Sequence, residues 1–465
     1  MALNNSAYDK SHGTSGEKNS VKKHIKKPAA KRRVIVQLMG GVDRAFLITV
    51  ILLLCLGTVM VFSASYPYAN ANFKGDSYHF AKRQLFFAVM GLAGMAFVAG
   101  TPFFNYHFLR RLSKIALVVS ILLLFGVLFL GSSFSGATRW YVIGPLTIQP
   151  SEIVKFTLVL FFADYADKYA DKIKQTGRFS SVFTVVVPFL LISVAGVAMI
   201  FIFDNIIIGG IFAIAILSMA VVYMVMNNMK ERAPAFYYGI LPYIVVLGIV
   251  GVLMYLQPHM SGLIIMCGIT FAMMFMGGTD LRYLAAGAGV GVAGIFAIAM
   301  TMGHSSSRIK VWRDPFKYLL DGGWQPAQSL YAIGSGQFWG AGFGNSRQKH
   351  LYLPEPQNDY IFSIWCEEMG FVGAILLIGI FMFFIYRGIL IGLKAPDRFS
   401  SLLVIGIIMH VGLQMILNIA VVTNTLPSTG ISLPFFSYGG TSLMILLVEM
   451  GIVLSVSRYS NTGKK

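Results

Sequence analysis

Charged residues and cysteines are scarce in this chain of 465 residues, and both shortages limit the classes of protein to which it can belong. Charged residues make up 12% of the sequence, whereas 56% of it is hydrophobic. Because soluble globular domains carry roughly a quarter charged residues, this balance indicates a polytopic membrane protein. The three cysteines, Cys55, Cys267 and Cys366, are too few and too scattered for a disulfide framework or a metal site.

Long apolar runs are abundant instead, and they predict an all-α polytopic membrane protein. Runs of roughly 18–22 apolar residues, the length that crosses a bilayer, predict about twelve spanning helices. They lie near 46–65, 86–102, 114–132, 151–167, 183–203, 206–226, 236–256, 261–278, 281–302, 371–388, 402–422 and 441–457.

The distribution of basic residues predicts the orientation. Residues 1–44 hold ten Lys and Arg against three acids and have no apolar core, which is typical of a disordered cytoplasmic tail near anionic lipid headgroups. Nucleic-acid binding, the other interpretation of a basic run, fits poorly with so many spans. With this tail inside, the loops that follow even-numbered spans are all basic, as the positive-inside rule requires. Both termini are then cytoplasmic.

The same orientation places a long polar segment, 303–370, on the extracellular side. We therefore divide the chain into the tail 1–44, helices over 45–302, the loop 303–370, helices over 371–460 and a cytoplasmic end at 461–465. Loops of this length between membrane helices indicate function.

Within the loop 303–370, Asp314 precedes Pro315, which favours an extended backbone that holds the carboxylate outward. A solvated acid paired with Arg313 or Lys317 is the simpler interpretation.

Two further polar motifs border apolar runs. Pro150 and Glu152 are typical of a helix start, and Lys155 then falls inside the membrane. Lys155 either extends its ammonium group to the interface or faces a polar cavity, where it can bind a lipid phosphate. The segment 427–442 is uncharged and rich in Gly, Pro and hydroxyls. It is either an ordinary loop or a segment that re-enters to pack against a polar cavity.

These motifs together resemble the SEDS family (shape, elongation, division and sporulation) of FtsW/RodA-type membrane glycosyltransferases. The resemblance covers most of 45–460, and the segments around 63–65 and 80–84 are more similar to the FtsW branch than to RodA. The matching patterns are Gly-Ala-x-Arg-Trp, Gln-Pro-Ser-Glu-x-x-Lys, Asp-Pro-Phe, Gln-x-x-Gln-Ser-Leu, Tyr-Leu-Pro-Glu-x-x-x-Asp, Glu-Glu-x-Gly and Leu-Pro-Phe-x-Ser-Tyr-Gly-Gly.

The resemblance implies a lipid II polymerase that builds peptidoglycan strands during cell division and works with a class B penicillin-binding transpeptidase. Elongation and sporulation remain open as alternative roles. Asp314 takes the position of the family's essential aspartate, and we predict that it is the general base. Either side chains or a divalent cation, Mg²⁺ or Mn²⁺, would neutralise the leaving pyrophosphate. The predicted substrate-binding residues are Arg139, Trp140, Glu152, Lys155, Arg313, Gln325, Ser329, Lys349, Glu355, Asp359, Ser437 and Tyr438.

The chain departs from the family pattern at two points. The family fold has ten spans, so the sequence predicts an extra hairpin, placed at 183–232 or alternatively at 236–260. His259 stands where the family usually has Asp in a Gln-Pro-Asp-x-Gly junction, which leaves that acid's role absent or moved to Asp204. Two other functions stay open: a lipid II transporter, favoured by intramembrane Lys155 and Asp204, and a non-catalytic scaffold that activates the transpeptidase, favoured by His259.

Overall fold

The computed structural model describes residues 41–101, 106–134, 137–144, 146–175, 187–189, 191–193, 195, 206–285, 287, 308 and 310–460. Most of them are helical, so the predicted all-α polytopic fold class is confirmed. The helices are α1 (Arg44–Asn72), α2 (His79–Gly100), α3 (Tyr106–Leu130), α4 (Pro150–Lys168), α5 (Ala170–Ile173), α6 (Ile206–Met226), α7 (Met229–Arg232), α8 (Pro234–Gly239), α9 (Leu241–Leu256), α10 (Met260–Gly277), α11 (Trp324–Ser335), α12 (Ile361–Leu393), α13 (Arg398–Val422) and α14 (Gly440–Ser460).

Eight of the helical segments in the described residues are long and apolar enough to cross a membrane, and each overlaps a predicted span. They are α1, α2, α3, the consecutive pair α8 and α9, α10, α12, α13 and α14. Helices α4 and α6 coincide with two more predicted spans, 151–167 and 206–226. The predicted spans 183–203 and 281–302, and Asp204, lie largely or wholly outside the described residues. The total of twelve spans and the position of the extra hairpin therefore stay predictions.

Helix α12 starts earlier than the apolar run that predicted it. It begins at Ile361, inside the predicted loop 303–370, and contains a backbone break at Gly370 with φ 68° and ψ −169°. Its first turns bury Ile361, Phe362 and Trp365 together with the polar Glu367 and Glu368. Acidic residues ended the apolar run in the sequence, but tertiary partners bury them here and the helix continues through them.

A small antiparallel sheet lies between α3 and α4, where the sequence analysis assigned no strand. Its strands are β1 (Ser132–Phe134), β2 (Ala137–Ile143) and β3 (Leu146–Ile148), in the order β1-β2-β3. Tyr141 of β2 pairs with Ile148, and Val142 pairs with Thr147. Such short strands leave little periodic signal in a sequence. The sheet matters because β2 carries Arg139 and Trp140.

Helix α4 occupies the centre of the packing. It contacts α3, α10 and α13, and it buries Val154, Leu158 and Phe162 completely. A helix surrounded in this way buries most of its circumference. Lys155, which follows Val154, is therefore held inside the bundle at 2% exposure, and the predicted alternative in which it reaches the interface does not occur.

The segment between α13 and α14 folds back into the protein. It buries Ile431, Leu433, Phe435 and Phe436, and the Phe435 carbonyl lies so close to Gly57 of α1 that a side chain there would collide with it. The interpretation of 427–442 as a re-entrant segment is thus the one that the structure supports. Its polar edge, around Ser432, faces a cavity.

Candidate active site

A cavity of about 350 Å³ lies where the sheet, the start of α4, the start of α10 and the re-entrant segment meet. Polar and charged side chains supply much of its wall. Six of the predicted site residues line it, namely Arg139, Trp140, Glu152, Lys155, Asp359 and Tyr438. Other lining residues include Arg83, Thr147, Gln149, Ser151, His259, Ser261, Asn358, Gln414, Gly430, Ser432, Thr441 and Ser442.

A hydrogen-bonded chain fixes the cation on α4. Lys155 Nζ lies 2.7 Å from Glu152 Oε2 and donates to Gln414 Oε1 at 3.1 Å. Gln414 Nε2 in turn donates to the carbonyl and the hydroxyl of Ser432, at 3.0 and 2.9 Å. Glu152 belongs to the first turn of α4, where the helix dipole stabilises an acid. The chain joins α4, α13 and the re-entrant segment around one wall of the cavity.

Arg139 provides a second cation in the cavity wall. Its Nε donates to the Gln257 carbonyl at 3.0 Å, and its Nη2 donates to the Pro258 carbonyl. These carbonyls lie at the end of α9, where the helix has no further N–H groups to pair with them, so Arg139 caps that helix. Burial, and to a lesser extent Arg308, lowers the pKa of Arg139. A guanidinium nevertheless stays charged and retains further N–H donors for an anionic ligand.

His259 lies beside Arg139 as the N-cap residue of α10. It is 8% exposed, and its Nδ1 has no hydrogen-bond partner within the described part of the chain. Burial, together with the smaller effects of the charges on Arg139 and Lys155, lowers its pKa to about 3. The imidazole is therefore neutral near pH 7, so it does not supply the negative charge of the family's usual Asp.

Asp359, just before the start of α12, is a second acid of the cavity wall beside Glu152. Burial and the nearby carboxylate of Glu355 raise the pKa of Asp359 to about 6. Gly430, at φ +71°, lies so close that a side chain there would be 3.1 Å from Asp359 Oδ2. Glycine is thus required both for this backbone conformation and for the close approach.

Asp314 lies outside the cavity lining and is exposed. Its Oδ1 accepts a hydrogen bond from the Lys317 amide at 3.1 Å, so it caps the turn that follows. The preceding residues are attached to the start of the re-entrant segment, because Trp312 and Asn424 exchange hydrogen bonds of 3.0 Å. The Asp314 carboxylate is therefore solvated in this conformation. Through Trp312, Asp314 is attached to the same segment whose Gly430 lines the cavity.

Lys349, predicted to bind pyrophosphate, is buried away from the cavity. Its Nζ lies 2.7 Å from Glu368 Oε1, 2.7 Å from the Gly344 carbonyl and 3.2 Å from Ser63 Oγ. These partners come from α1, the segment before α12, and α12 itself. Lys349 has no exposed surface, so its contacts support anchoring of the loop and not contact with substrate.

The other predicted residues are also held outside the cavity. Ser329 Oγ is buried against Ser363 Oγ and the Val422 carbonyl, both at 2.8 Å. Gln325 reaches the Pro354 carbonyl at 3.4 Å, and Ser437 Oγ accepts from the Leu433 amide. Arg313 and Glu355 are exposed. Ser437 lines a smaller chamber that adjoins the cavity.

Sequence reasoning missed several residues of the cavity wall, and Gln414 is the clearest of them. Gln414 and Asn418 are amides inside the predicted span 402–422, and polar side chains at that depth mark functional or structural polar sites. That signal was present in the sequence. Ser432 belongs to the segment 427–442, whose hydroxyls were a signal for the segment as a whole. Thr147 and Asn358 had no comparable signal, because only the fold brings them to the cavity.

A resident metal held by protein ligands alone does not fit the described residues. Nowhere in them do three or more His, Cys, Asp or Glu side chains converge as a metal site. Mg²⁺ is often shared between one or two carboxylates and substrate phosphates. Asp359 is the carboxylate of the cavity wall best suited to such sharing, since Glu152 already pairs with Lys155.

Comparison with known proteins identifies the family. The model for FtsW, RodA and SpoVE cell cycle proteins matches residues 43–224 and 209–462. The chain belongs to this family. The two matches overlap inside the predicted extra hairpin 183–232. Stage V sporulation protein E of Bacillus subtilis (strain 168) is 32% identical over 420 residues, which cover 90% of this chain and 97% of that protein. A protein named probable peptidoglycan glycosyltransferase FtsW from Geobacter sp. (strain M18) is 31% identical, and the match covers 90% of this chain and 97% of that protein.

Solved structures share the fold. A chain from a study entitled "Structural coordination of polymerization and crosslinking by a peptidoglycan synthase complex" aligns with a TM-score of 0.63 and 22% identity, covering 91% of this chain and 99% of its own. The crystal structure of the rod shape determining protein RodA from Thermus thermophilus aligns with a TM-score of 0.57 and 24% identity. The alignment covers 90% of this chain and 97% of that one. The family architecture of a multi-pass membrane protein therefore applies to this chain.

Proposed function

We propose that this chain is a peptidoglycan glycosyltransferase that polymerises lipid II. The acceptor sugar's 4-hydroxyl oxygen attacks the donor's anomeric carbon, the bond to the lipid pyrophosphate breaks, and configuration inverts in a single displacement. The acceptor proton passes to Asp314, and undecaprenyl pyrophosphate leaves. The observation that carries the proposal is the cavity with two fixed cations, Arg139 and Lys155, in a chain of this family.

The two cations suit a pyrophosphate leaving group. Arg139 keeps N–H donors after its two carbonyl contacts, so it can bind phosphate oxygens. Lys155 is held by Glu152 and Gln414 in a buried setting, where a fixed charge acts more strongly than in water. Preorganised charge of this kind stabilises the negative charge that develops on the departing oxygen. A volume of about 350 Å³ has room for the pyrophosphate and the atoms next to it, so the rest of the head group and the long hydrocarbon tail must remain outside the cavity.

The role of Asp314 as general base requires the external loop to move. Its carboxylate is exposed and caps a turn, so it must approach the acceptor hydroxyl when both substrates are bound. Substrate-induced loop closure is a common way to complete a catalytic site. Asp359 is the competing candidate, because it already lines the cavity and its pKa of about 6 lies near the range of an effective base.

The relatives support a proposal for the cellular setting. We propose a class B penicillin-binding transpeptidase as partner, supported by the likeness to a chain of a complex that couples polymerisation to crosslinking. Septal synthesis during division is proposed from the relatives named FtsW, and the likeness to a stage V sporulation protein makes sporulation the alternative role. Both termini are proposed to be cytoplasmic and the loop 303–370 extracellular, supported by the positive-inside pattern.

The test is glycan-strand formation from labelled lipid II by the purified full-length chain, with and without its transpeptidase. Native protein is compared with Asp314→Asn and with Asp359→Asn. We expect polymer from the native chain and a loss of at least about a thousandfold in Asp314→Asn, with Asp359→Asn retaining measurable turnover.

The reverse ranking of the two variants would move the general base to Asp359. Polymer from Asp314→Asn at the native rate would remove Asp314 from the mechanism. An absence of polymer from every protein, even with the partner, would favour the transport or scaffold alternatives, and His259 would then be the first residue to change.

A further inference from the structure

A second, smaller chamber continues from the cavity between α13 and α14. It measures about 30 Å³ and shares Glu152, Gln414, Ser432 and Ser442 with the cavity wall. Because a water needs at least about 10–15 Å³ of this kind of space, the chamber has room for about two waters. His410 and Glu449 also line this chamber.

These two residues are buried opposite each other. His410 Nδ1 lies 3.5 Å from Glu449 Oε2, and the side chains are 6% and 2% exposed. Both imidazole nitrogens and both carboxylate oxygens have no hydrogen-bond partner among the residues that the structure describes. Buried polar groups in folded proteins are nearly always hydrogen-bonded, so a pair that faces a chamber of this size requires partners inside it.

The pair has few charged neighbours among the described residues. The titratable groups lining the chamber, in the described part of the chain, are Glu152, His410 and Glu449. Lys155 already pairs with Glu152, so among the described residues His410 is the basic group that lies beside Glu449. On the neighbouring α12, Glu367 and Glu368 bind the external loop, and Arg83 of α2 faces the main cavity. An isolated carboxylate inside a membrane bundle is costly, whereas a paired and hydrated one is tolerated.

We propose that His410 and Glu449 form a buried proton-binding site, an imidazolium–carboxylate pair bridged by water in the chamber. The site takes up one proton, which resides on the imidazole. His410 and Gln414 are one turn apart on α13, and Gln414 binds Lys155, so the pair acts on the cavity through Gln414 and Glu152. His410 and Glu449 are therefore positioning residues for the Lys155 cation. This consequence, unlike the proton site itself, rests on the proposed glycosyltransferase function.

The proton site is tested by ¹⁵N NMR of imidazole-labelled full-length chain in lipid nanodiscs. The chain has eight histidines, and the His410 signal is assigned by its loss in His410→Asn. We expect both nitrogens of His410 to show the protonated pattern at about pH 7, and Glu449→Gln to convert it to the neutral pattern. A neutral His410 in the native chain, or a His410 signal that Glu449→Gln leaves unchanged, would overturn the proposal.

A second variant covers the case in which a single substitution unfolds the chain. Replacing both members together, His410→Leu with Glu449→Leu, removes the two charges at once, and apolar replacement of a complete buried pair is often tolerated. We expect this double variant to remain folded, to lower kcat for polymerisation about tenfold with little change in KM, and to alter the pH profile. A native kcat and pH profile would refute the positioning role.

The two failures are distinguishable. If the native chain makes no polymer, the glycosyltransferase proposal fails, and the NMR measurement still decides whether the proton site exists.

Discussion

Two regions of this molecule each bury a lysine against a glutamate at 2.7 Å, yet their surroundings differ. Lys155 and Glu152 sit on one helix beside an open cavity, and Gln414 is the third member of the group. Lys349 and Glu368 are enclosed on all sides, and Ser63 and a backbone carbonyl complete their contacts. Burial and pairing alone therefore do not distinguish a binding group from an anchor. The distinguishing feature is an open side that a ligand can reach.

The largest effect should follow from removing the cation that faces the cavity. Lys155→Met keeps the length of the side chain but removes its charge, and it leaves Glu152 without its ion-pair partner. We expect polymerisation to fall by about a hundredfold to a thousandfold, because a preorganised charge at the leaving group is lost. The measurement is the rate of glycan-strand formation from labelled lipid II.

The matched control changes both partners of the same pair. In Lys155→Met with Glu152→Gln, no uncompensated charge remains, so a rate as low as that of Lys155→Met shows that the cation itself is needed. Recovery of the native rate in the double variant would mean that Lys155 serves only to neutralise Glu152, and the two lysines would then have the same kind of role.

The contrast between the lysines also shows what the sequence could predict. Lys155 lies three residues from Glu152 at a recognisable helix start, so its position inside the membrane followed from local sequence, although its pairing with Glu152 was not predicted. Lys349 is 19 residues from Glu368 and 286 from Ser63. Its burial depends on how α1, the loop and α12 pack together, and no local pattern contains that information.

The same limit applies to the elements of the fold. Long apolar runs predicted the spanning helices because membrane length sets a strong, local requirement. The start of α12 at Ile361 was missed, since Glu367 and Glu368 receive their partners from residues 346–349. Similarly, the motif around Arg139 predicted a site residue, but only the short sheet shows how that residue reaches the carbonyls of Gln257 and Pro258.

Removing the enclosed lysine should affect stability more than chemistry. Lys349→Met leaves the carboxylate of Glu368 buried without a cation, and breaking a buried pair in this way costs about 3–5 kcal/mol. We expect a clear drop in the thermal unfolding midpoint in detergent or nanodiscs, and an unchanged KM for lipid II in the protein that remains folded.

The combination of Lys349→Met with Glu368→Leu is the control for that variant. It should recover much of the lost stability, because no unpaired charge stays buried. A raised KM in Lys349→Met with no loss of stability would instead assign Lys349 to substrate binding, as the sequence predicted.

The smallest effect is a shift in pH dependence, which extends the comparison to two carboxylates. Asp359 lines the cavity, whereas Glu355 is exposed and its charge contributes to raising the pKa of Asp359 to about 6. Asp359 therefore gains its negative charge as the pH rises through about 6. If the ionised form is the active one, kcat/KM for polymerisation should increase over the same interval.

Glu355→Gln removes the neighbouring negative charge without emptying the cavity wall, so it should lower the pKa of Asp359 and move the acidic limb of the profile to lower pH. For stability the sign is opposite to that of a carboxylate paired with a cation. The native state holds the Asp359 proton more tightly than the unfolded chain does, so this contribution is present at low pH and is lost as the pH rises through about 6. A pH profile of kcat/KM for the native chain, Glu355→Gln and Asp359→Asn measures the first effect, with Asp359→Asn expected to lack the limb. If the acidic limb persists in Asp359→Asn, it arises from the titration of another group. A different acid would then determine how polymerisation in the open cavity depends on pH.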